Sequence, residues 1–386
     1  MSWPIPSFKK TERPVPISLG LWLSVLVSIA LASAGAVLML WPHAKTAQGI
    51  RFWALVIGAP ITACAVAFGI RLDRWEHEQT AAEEAEREQE RISALWRAWS
   101  RRHLRVTASA VVLPVSVSPV QIGNATPGLP VVSGRAKGFP WTNNKPDAWR
   151  RTKLLGVIAC GLQEALAEHQ DLLIKVLVDR VSLASKVAWS MAVKDAFSRV
   201  APHCRIMVEV EHATGCAELL AQQVDLFSYS PHLIIAVQFW PDNEEDPAFS
   251  EGAAALLLDA GSSPRGSLFR PLTTSRDKIE SELQQFLHMQ VSPEKVSRIW
   301  LTGCDDISVD IRSALTTDPK ATVPERLLDG VLGIPGPATS WIALAAALEA
   351  SEGSGSQLIA WREPKSEPIH LCLVTPIPVP QKEIAA

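Results

Sequence analysis

Residues 172–178 read LLIKVLV, a run of apolar side chains interrupted by a single lysine. Two further runs of this kind follow, RIMVEVE at 205–211 and HLIIAVQ at 232–238. Segments with helical composition precede and separate these runs, at 152–168, 185–199 and 217–226. Strands that alternate with helices are typical of an α/β domain, in which helices cover a largely parallel or mixed sheet.

The stretch before this domain has a different composition. It begins with VTASAVVLPVSV at 106–117, which favours a strand, and six prolines punctuate the stretch from Pro114 to Pro146. The sequence leaves open whether this stretch joins the main sheet or forms a layer of its own. We therefore expect a β- and Pro-rich segment at 106–150, an α/β domain at 151–376 and a flexible, Pro-containing tail at 377–386.

Two uncharged runs lie near the N-terminus, LGLWLSVLVSIALASAGAVLMLW at 19–41 and FWALVIGAPITACAVAFGI at 52–70. A helix rises 1.5 Å per residue, so about 20 residues cross a bilayer core of roughly 30 Å. We predict a membrane hairpin over 19–72, preceded by a short segment at 1–18. The alternatives are a cleaved signal peptide, for which the first run is too long, and two buried core helices, which the charge-free length disfavours.

A charged helix is expected to continue from the second span as a stalk over 73–105, because Glu, Ala, Arg and Gln dominate there and Gly and Pro are absent from Arg74 onward. Lys and Arg flank the two runs on the outer sides, and the connecting loop carries only Lys45 and Arg51. The positive-inside rule then places both termini and the large domain in the cytoplasm, at a bacterial inner membrane. Six scattered cysteines without C-x-x-C spacing fit a reducing compartment.

Several functional classes find no support in the sequence. A net charge of −3 gives no electrostatic reason to bind nucleic acid. The turn GIPGP at 333–337 lacks the pattern of a phosphate loop, so no cofactor is predicted. No metal is predicted either, because Asp305, Asp306 and Asp310 do not follow calcium-loop spacing, and a helix N-cap is the expected role for this group. The acidic run at 242–246 predicts a solvated turn.

Five segments of the second half resemble the β-ketoacyl synthases and the wider thiolase-like superfamily, in the order that those proteins show. The segments are FSEGAAALLLD at 249–259, Gly215-Cys216-Ala217 before a helix and the strand LIIAV, PEKVSRIWLTGCDDISVDIRSAL at 293–315, LDGVLGIPGPATSWIALAAAL at 328–348 and a final strand at 368–374. The resemblance covers about 150–376. It implies a thiolase-like mixed sheet layered with helices.

The same comparison implies that the catalytic set is incomplete. Gly303 and Gly330 stand where the resemblance places the two catalytic histidines, which leaves Cys216 as a nucleophile without a base. A thiol without a nearby base is mostly protonated at neutral pH. The simpler interpretation of Cys216 is a small apolar residue packed at the start of a helix.

Three functional hypotheses follow. The first is a non-catalytic, membrane-anchored adaptor or scaffold for a protein partner, for example an accessory protein of bacterial type VI effector secretion. The alternative is a membrane-associated acyltransferase or condensing-type enzyme that uses Cys216. The third is a structural subunit of a larger envelope complex. The sequence does not identify the partner or the oligomeric state.

Overall fold

The computed structural model describes residues 3, 13–41, 49–132, 134–142, 145–226, 230–241, 247–259, 264–291, 296–315, 323–351 and 355–376. The expected tail at 377–386, the acidic run at 242–246 and most of the segment 1–18 lie outside these residues. The chain divides into two compact units. The helical unit spans 5–95, and the α/β unit comprises 1–4 together with 96–386.

The helical unit is built from α1 (Leu19–Leu40) and the first part of α2 (Ile50–Ser100). The ring centroids of Trp22 and Phe68 lie 6.3 Å apart, and those of Trp41 and Phe52 lie 5.1 Å apart. Residue numbers rise in one helix as they fall in the other, so the two helices form an antiparallel hairpin. Within the described part of the chain, these two helices are long and apolar enough to cross a membrane.

Helix α2 continues without a break beyond its apolar part and includes Pro60. Within the helical unit, Arg13 donates to both carboxylate oxygens of Glu86, at 3.1 and 3.0 Å. The pair is exposed to solvent, which screens the two charges, so its contribution to stability is small. The stalk helix predicted to reach residue 105 ends earlier, at Ser100, because His103 already pairs with Phe269 as the first residue of a strand.

The α/β unit holds the remaining elements. Its strands are β1 (His103–Val112), β2 (Asp171–Val178), β3 (Arg205–His212), β4 (His232–Gln238), β5 (Gly252–Leu258), β6 (Gly266–Phe269), β7 (Leu272–Thr274), β8 (Val296–Thr302), β9 (Glu325–Leu327), β10 (Ser356–Arg362) and β11 (Ile369–Thr375). Its helices are α3 (Pro119–Gly123), α4 (Asp147–Gly161), α5 (Gln163–Leu166), α6 (Arg180–Leu183), α7 (Lys186–Val200), α8 (Cys216–Leu226), α9 (Ile279–Gln290), α10 (Ser308–Leu315), α11 (Leu328–Leu332) and α12 (Thr339–Glu349).

These strands form one mixed sheet with a duplicated order, β3-β2-β4-β5-β1 followed by β6-β11-β10-β8-β9, with β7 paired to β11. If the strands of each half are numbered in chain order, leaving out β7, both halves run 3-2-4-5-1 from the edge of the sheet to its centre. In each half, β5 or β11 runs antiparallel to its neighbours, while the strands beyond it are parallel. Strand β1 lies at the centre, so the stretch at 106–150 contributes to the main sheet.

Side chains on successive strand residues point to opposite faces and separate the core into layers. On β4, Leu233, Ile235 and Val237 pack in an outer cluster with α4 and α7, whereas Ile234 and Ala236 pack in a middle cluster with α8 and α12. Strands of the second half contribute to the same middle cluster, and their opposite faces pack against α9 and α10. The unit is therefore a mixed sheet layered with helices, as the sequence predicted.

The segment SEG at 250–252 shows why small and acidic residues begin β5. A Cβ atom at Gly252 would lie 2.7 Å from the Cδ1 of Ile342, so glycine allows α12 to approach the sheet closely. Glu251 is buried and forms an ion pair with buried Arg150. Its carboxylate also accepts from the backbone N–H groups of Phe139 at 2.7 Å and Trp240 at 3.2 Å. These contacts connect the Pro-rich segment and α4 to the start of β5.

Candidate functional site

Cys216 is the first residue of α8, directly after the turn that follows β3. Gly215 adopts φ +78°, a left-handed conformation that favours glycine and redirects the chain into the helix. The Cys216 side chain is fully buried and packs in the middle cluster. The structure therefore places Cys216 at a helix N-terminus, inside the core.

Glu363, which follows β10, occupies the hydrogen-bond donors at this helix N-terminus. One carboxylate oxygen accepts from the N–H of Gly215 at 2.8 Å and from the N–H of Cys216 at 3.2 Å. A helix N-terminus carries unpaired donors and partial positive charge, so it favours such a carboxylate. If the Cys216 sulfur attacked an acyl carbonyl, the oxyanion of the tetrahedral intermediate would need donors of this kind. Glu363 fills that position with a group from the chain itself.

The surroundings of the Cys216 thiol oppose its ionisation. Burial raises the pKa of Cys216 well above its ordinary value, and nearby Glu363 and Glu218 raise it further, while a hydrogen bond with Ser340 lowers it. Burial also raises the pKa of Cys372, another thiol of the middle cluster, above its usual range. Cys216 is therefore a neutral thiol at physiological pH and a poor nucleophile.

Two imidazoles lie on elements near Cys216, and neither is positioned as its base. His212 Nδ1 lies 2.8 Å from Thr214 Oγ1. His370 is buried, stacks on Trp361 with ring centroids 5.4 Å apart, and its Nδ1 lies 3.0 Å from Thr273 Oγ1. Burial lowers the pKa of His370. Among the described residues, no hydrogen bond joins either ring to the Cys216 thiol.

Gly303 and Gly330, where the sequence resemblance predicted that glycines replace two catalytic histidines, lie in different settings. Gly303 follows β8 with φ +66°, and a Cβ atom there would lie 2.5 Å from the carbonyl oxygen of Arg362. The backbone at this position therefore has no room for a histidine side chain. Gly330 lies in α11, where its carbonyl accepts from Val132 N–H at 2.8 Å.

Asp329, which no sequence pattern singled out, lies beside Gly303. Its carboxylate accepts from Thr302 Oγ1 and from the Gly303 N–H, both at 2.6 Å. Burial raises the pKa of Asp329 to about 6, and these two hydrogen bonds oppose the shift. Through these hydrogen bonds, Asp329 connects α11 to the turn after β8.

The acidic group at 305–310 does not have the expected N-cap role. Cys304 is the N-cap of the short 3₁₀ turn at 305–307 and makes no capping hydrogen bond through its side chain. Asp306 instead forms ion pairs with Arg276 at 3.4 Å and Arg362 at 3.2 Å. Within the described residues, no group of three or more His, Cys, Asp or Glu side chains could hold a metal ion.

A surface cleft of 670 Å³ opens beside the loop that connects β10 to β11. Its lining residues are Thr273, Thr274, Ser275, Arg276, Asp277, Lys278, Glu282, Arg362, Ser366, Glu367 and Pro368. Cys216 and Glu363 are not among them. This cleft therefore does not expose the thiol to a substrate.

No family model matches the chain, and no curated protein matches it. Among solved structures, it is similar to 3-oxoacyl-[acyl-carrier-protein] synthase III from Aquifex aeolicus VF5, with 14% identity and a TM-score of 0.42, over 70% of this chain and 99% of that chain. It is also similar to Xanthomonas campestris OleA, with 12% identity and a TM-score of 0.45, over 72% and 98%. A ketosynthase domain, OzmH KS8 of Streptomyces albus JA3453, shows 12% identity and a TM-score of 0.48, over 71% and 95%. The α/β unit has the mixed sheet layered with helices that the sequence resemblance predicted.

Proposed function

We propose that this chain is a non-catalytic, membrane-anchored thiolase-like protein that serves as an adaptor or scaffold for a protein partner. The observation that carries the proposal is the carboxylate of Glu363 on the N–H groups of Gly215 and Cys216. A site that processed thioesters would keep those donors open for the substrate. Here the Glu363 carboxylate accepts from both donors, and the Cys216 thiol is buried in the core.

The missing imidazoles support the same conclusion. Acyl transfer by a thiol needs a base that removes its proton or an environment that lowers its pKa. The environment of Cys216 raises the pKa of the thiol, and no described imidazole is hydrogen-bonded to it. Gly303 could not be replaced by histidine without a backbone shift. In this proposal the domain does not catalyse acyl transfer, since a fold does not by itself determine function.

The two apolar helices support a role at a membrane. We propose a bacterial inner membrane, with both termini and the α/β unit in the cytoplasm, because Lys and Arg lie mainly outside the connecting loop. The free cysteines agree with a reducing compartment. An anchored, non-catalytic domain can bring a soluble protein to a membrane-bound machine, and accessory proteins of type VI effector secretion are the version we propose.

Affinity purification of the full chain from its native cell, solubilised in detergent, tests this function. Wild type and Cys216→Ala are compared by quantitative mass spectrometry, with an untagged strain as the control. The expected result is one protein in near-stoichiometric amount with both versions, and a secreted effector would support the type VI version. Recovery of the chain alone would contradict the adaptor function. Loss of the partner in Cys216→Ala, with an acyl adduct on wild type, would favour the enzyme.

A further inference from the structure

The outward surface of α4, α6 and α7 exposes an unusual set of apolar side chains. Helices α4 and α7 bury their inner sides in the same outer cluster, so their other sides face solvent together. The exposed fractions are 44% for Trp149, 45% for Val157, 60% for Val181 and 67% for both Val187 and Met191. We call these five residues, with the cations defined below, the α4/α7 face. Single exposed apolar residues are ordinary, but a group on neighbouring helices marks an interaction surface.

The duplicated architecture provides an internal comparison. Helices α9 and α10 cover the second half of the sheet as α4 and α7 cover the first. On α9 and α10, within the described residues, Val309 alone is a large apolar side chain with high exposure, at 67%. The layered fold therefore does not require exposed apolar residues on its outer helices. Their presence on the α4/α7 face needs a separate reason.

Among the described residues around these apolar side chains, the exposed charges that form no ion pair are positive. The exposed cations of the α4/α7 face are Lys145, Lys153, Arg180, Lys186 and Lys194. No acidic side chain among the described residues forms an ion pair with them. The carboxylates of α4 and α7, Asp147 and Asp195, already pair with Arg150 and Arg199. Lys145 also lies over the Trp149 ring, 5.6 Å from its centroid.

We propose that the α4/α7 face binds an acidic segment of the protein partner that also carries apolar side chains. This inference rests on the proposed adaptor function and adds the surface and the chemistry of the partner. Unpaired cations attract and orient an acidic segment, while the apolar side chains supply the buried contact. Val and Met, which pack against protein side chains, outnumber the single Trp that would favour a lipid interface.

Site-specific photo-crosslinking of the full chain in native membranes tests the proposal. The crosslinking residue replaces Val187 on the α4/α7 face or, as a matched control, Val309 on α10; both side chains are 67% exposed. The expected result is one crosslinked protein from position 187 and none from position 309. Mass spectrometry of the crosslinked peptide is expected to map it to a segment rich in Asp and Glu with interspersed apolar residues.

Charge reversal then tests the complementarity. The double variant Lys153→Glu with Lys194→Glu is expected to reduce the crosslink roughly 10-fold, because like charges across an interface repel. Lys278→Glu, an exposed reversal outside this face, is expected to leave the crosslink unchanged. Replacing acidic residues of the mapped segment with lysine is expected to restore crosslinking to the double variant.

The outcomes separate this proposal from the function on which it rests. A partner that co-purifies but crosslinks from position 309 and not from 187 would overturn the α4/α7 face and leave the adaptor function standing. Crosslinking of lipid at 187, or of a protein segment without acidic residues, would also overturn it. If no protein co-purifies or crosslinks from either position, both the adaptor function and this face are wrong.

Discussion

Replacing Glu251 with alanine is expected to destabilise the α/β unit by about 3–5 kcal/mol, the cost of breaking a buried ion pair by removing one partner. The carboxylate is buried against Arg150, whose side chain is only 5% exposed. Without Glu251, the guanidinium would keep its charge in the core, where it also donates to Asp147 at 3.3 Å and to the carbonyl of Trp240 at 3.1 Å. The N–H groups of Phe139 and Trp240 would lose an acceptor as well.

Denaturant unfolding of the detergent-solubilised chain, followed by tryptophan fluorescence, measures this change. Glu209→Ala removes a carboxylate of β3 that is 54% exposed and lies 3.9 Å from Lys175, so it is expected to cost less than about 1 kcal/mol. The double variant Glu251→Leu with Arg150→Met removes both charges and is expected to recover part of the loss. If Glu251→Ala lowered the unfolding free energy by less than about 1 kcal/mol, the ion pair between Glu251 and Arg150 would not stabilise the Pro-rich segment and α4 against β5.

Replacing Asp329 with asparagine is expected to remove a pH-dependent part of the stability. The pKa of Asp329 is raised to about 6 in the folded chain, above its ordinary value of 3.8. The folded state therefore favours the protonated form, and the stability that this group contributes is greatest below pH 4 and is lost as the pH rises through 6. A shift of about two units corresponds to roughly 3 kcal/mol.

Asparagine preserves the contacts of the neutral form, since its amide can accept from Gly303 N–H and donate to Thr302 Oγ1. We expect Asp329→Asn to match wild type near pH 4 and to exceed it by up to roughly 3 kcal/mol at pH 7.5. Unfolding free energies measured across this range give the difference. Asp195→Asn, a 55% exposed control on α7, is expected to stay near wild type throughout. A constant difference between Asp329→Asn and wild type would contradict the assignment.

Local patterns predicted the strands of the first half well. The runs at 172–178, 205–211 and 232–238 became β2, β3 and β4 within one residue at each end. Branched apolar side chains favour such strands, and each of these strands was predicted from its own residues. The helix predicted at 152–168 instead begins at Asp147 and is interrupted after Gly161, and the stalk helix ends at Ser100.

The position of β1 in the sheet could be determined only from the structure. Its sequence indicates a strand, but its partners β5 and β6 lie far along the chain, and only the assembled sheet shows it at the centre. The duplicated strand order was hidden for the same reason. Pairing between distant segments is decided by tertiary packing, which residue patterns do not report.

At the candidate site, the sequence predicted Cys216 at a helix start, and α8 begins at this residue. The sequence did not supply Glu363, because no pattern links a carboxylate after β10 to a helix N-terminus more than a hundred residues earlier. Asp329 was missed as well, since its raised pKa arises from burial beside Thr302 and Gly303. Both residues are visible only as neighbours in space.

The rate at which a small, water-soluble maleimide modifies Cys216 in the detergent-solubilised full chain tests the central claim most directly. Cys160, an exposed thiol on α4, is the internal reference. We expect Cys216 to react at least roughly 100-fold more slowly than Cys160, because a core thiol reacts only when the structure opens locally, at a cost of several kcal/mol. Modification of Cys216 faster than Cys160, together with its acylation by a thioester, would contradict a non-catalytic domain.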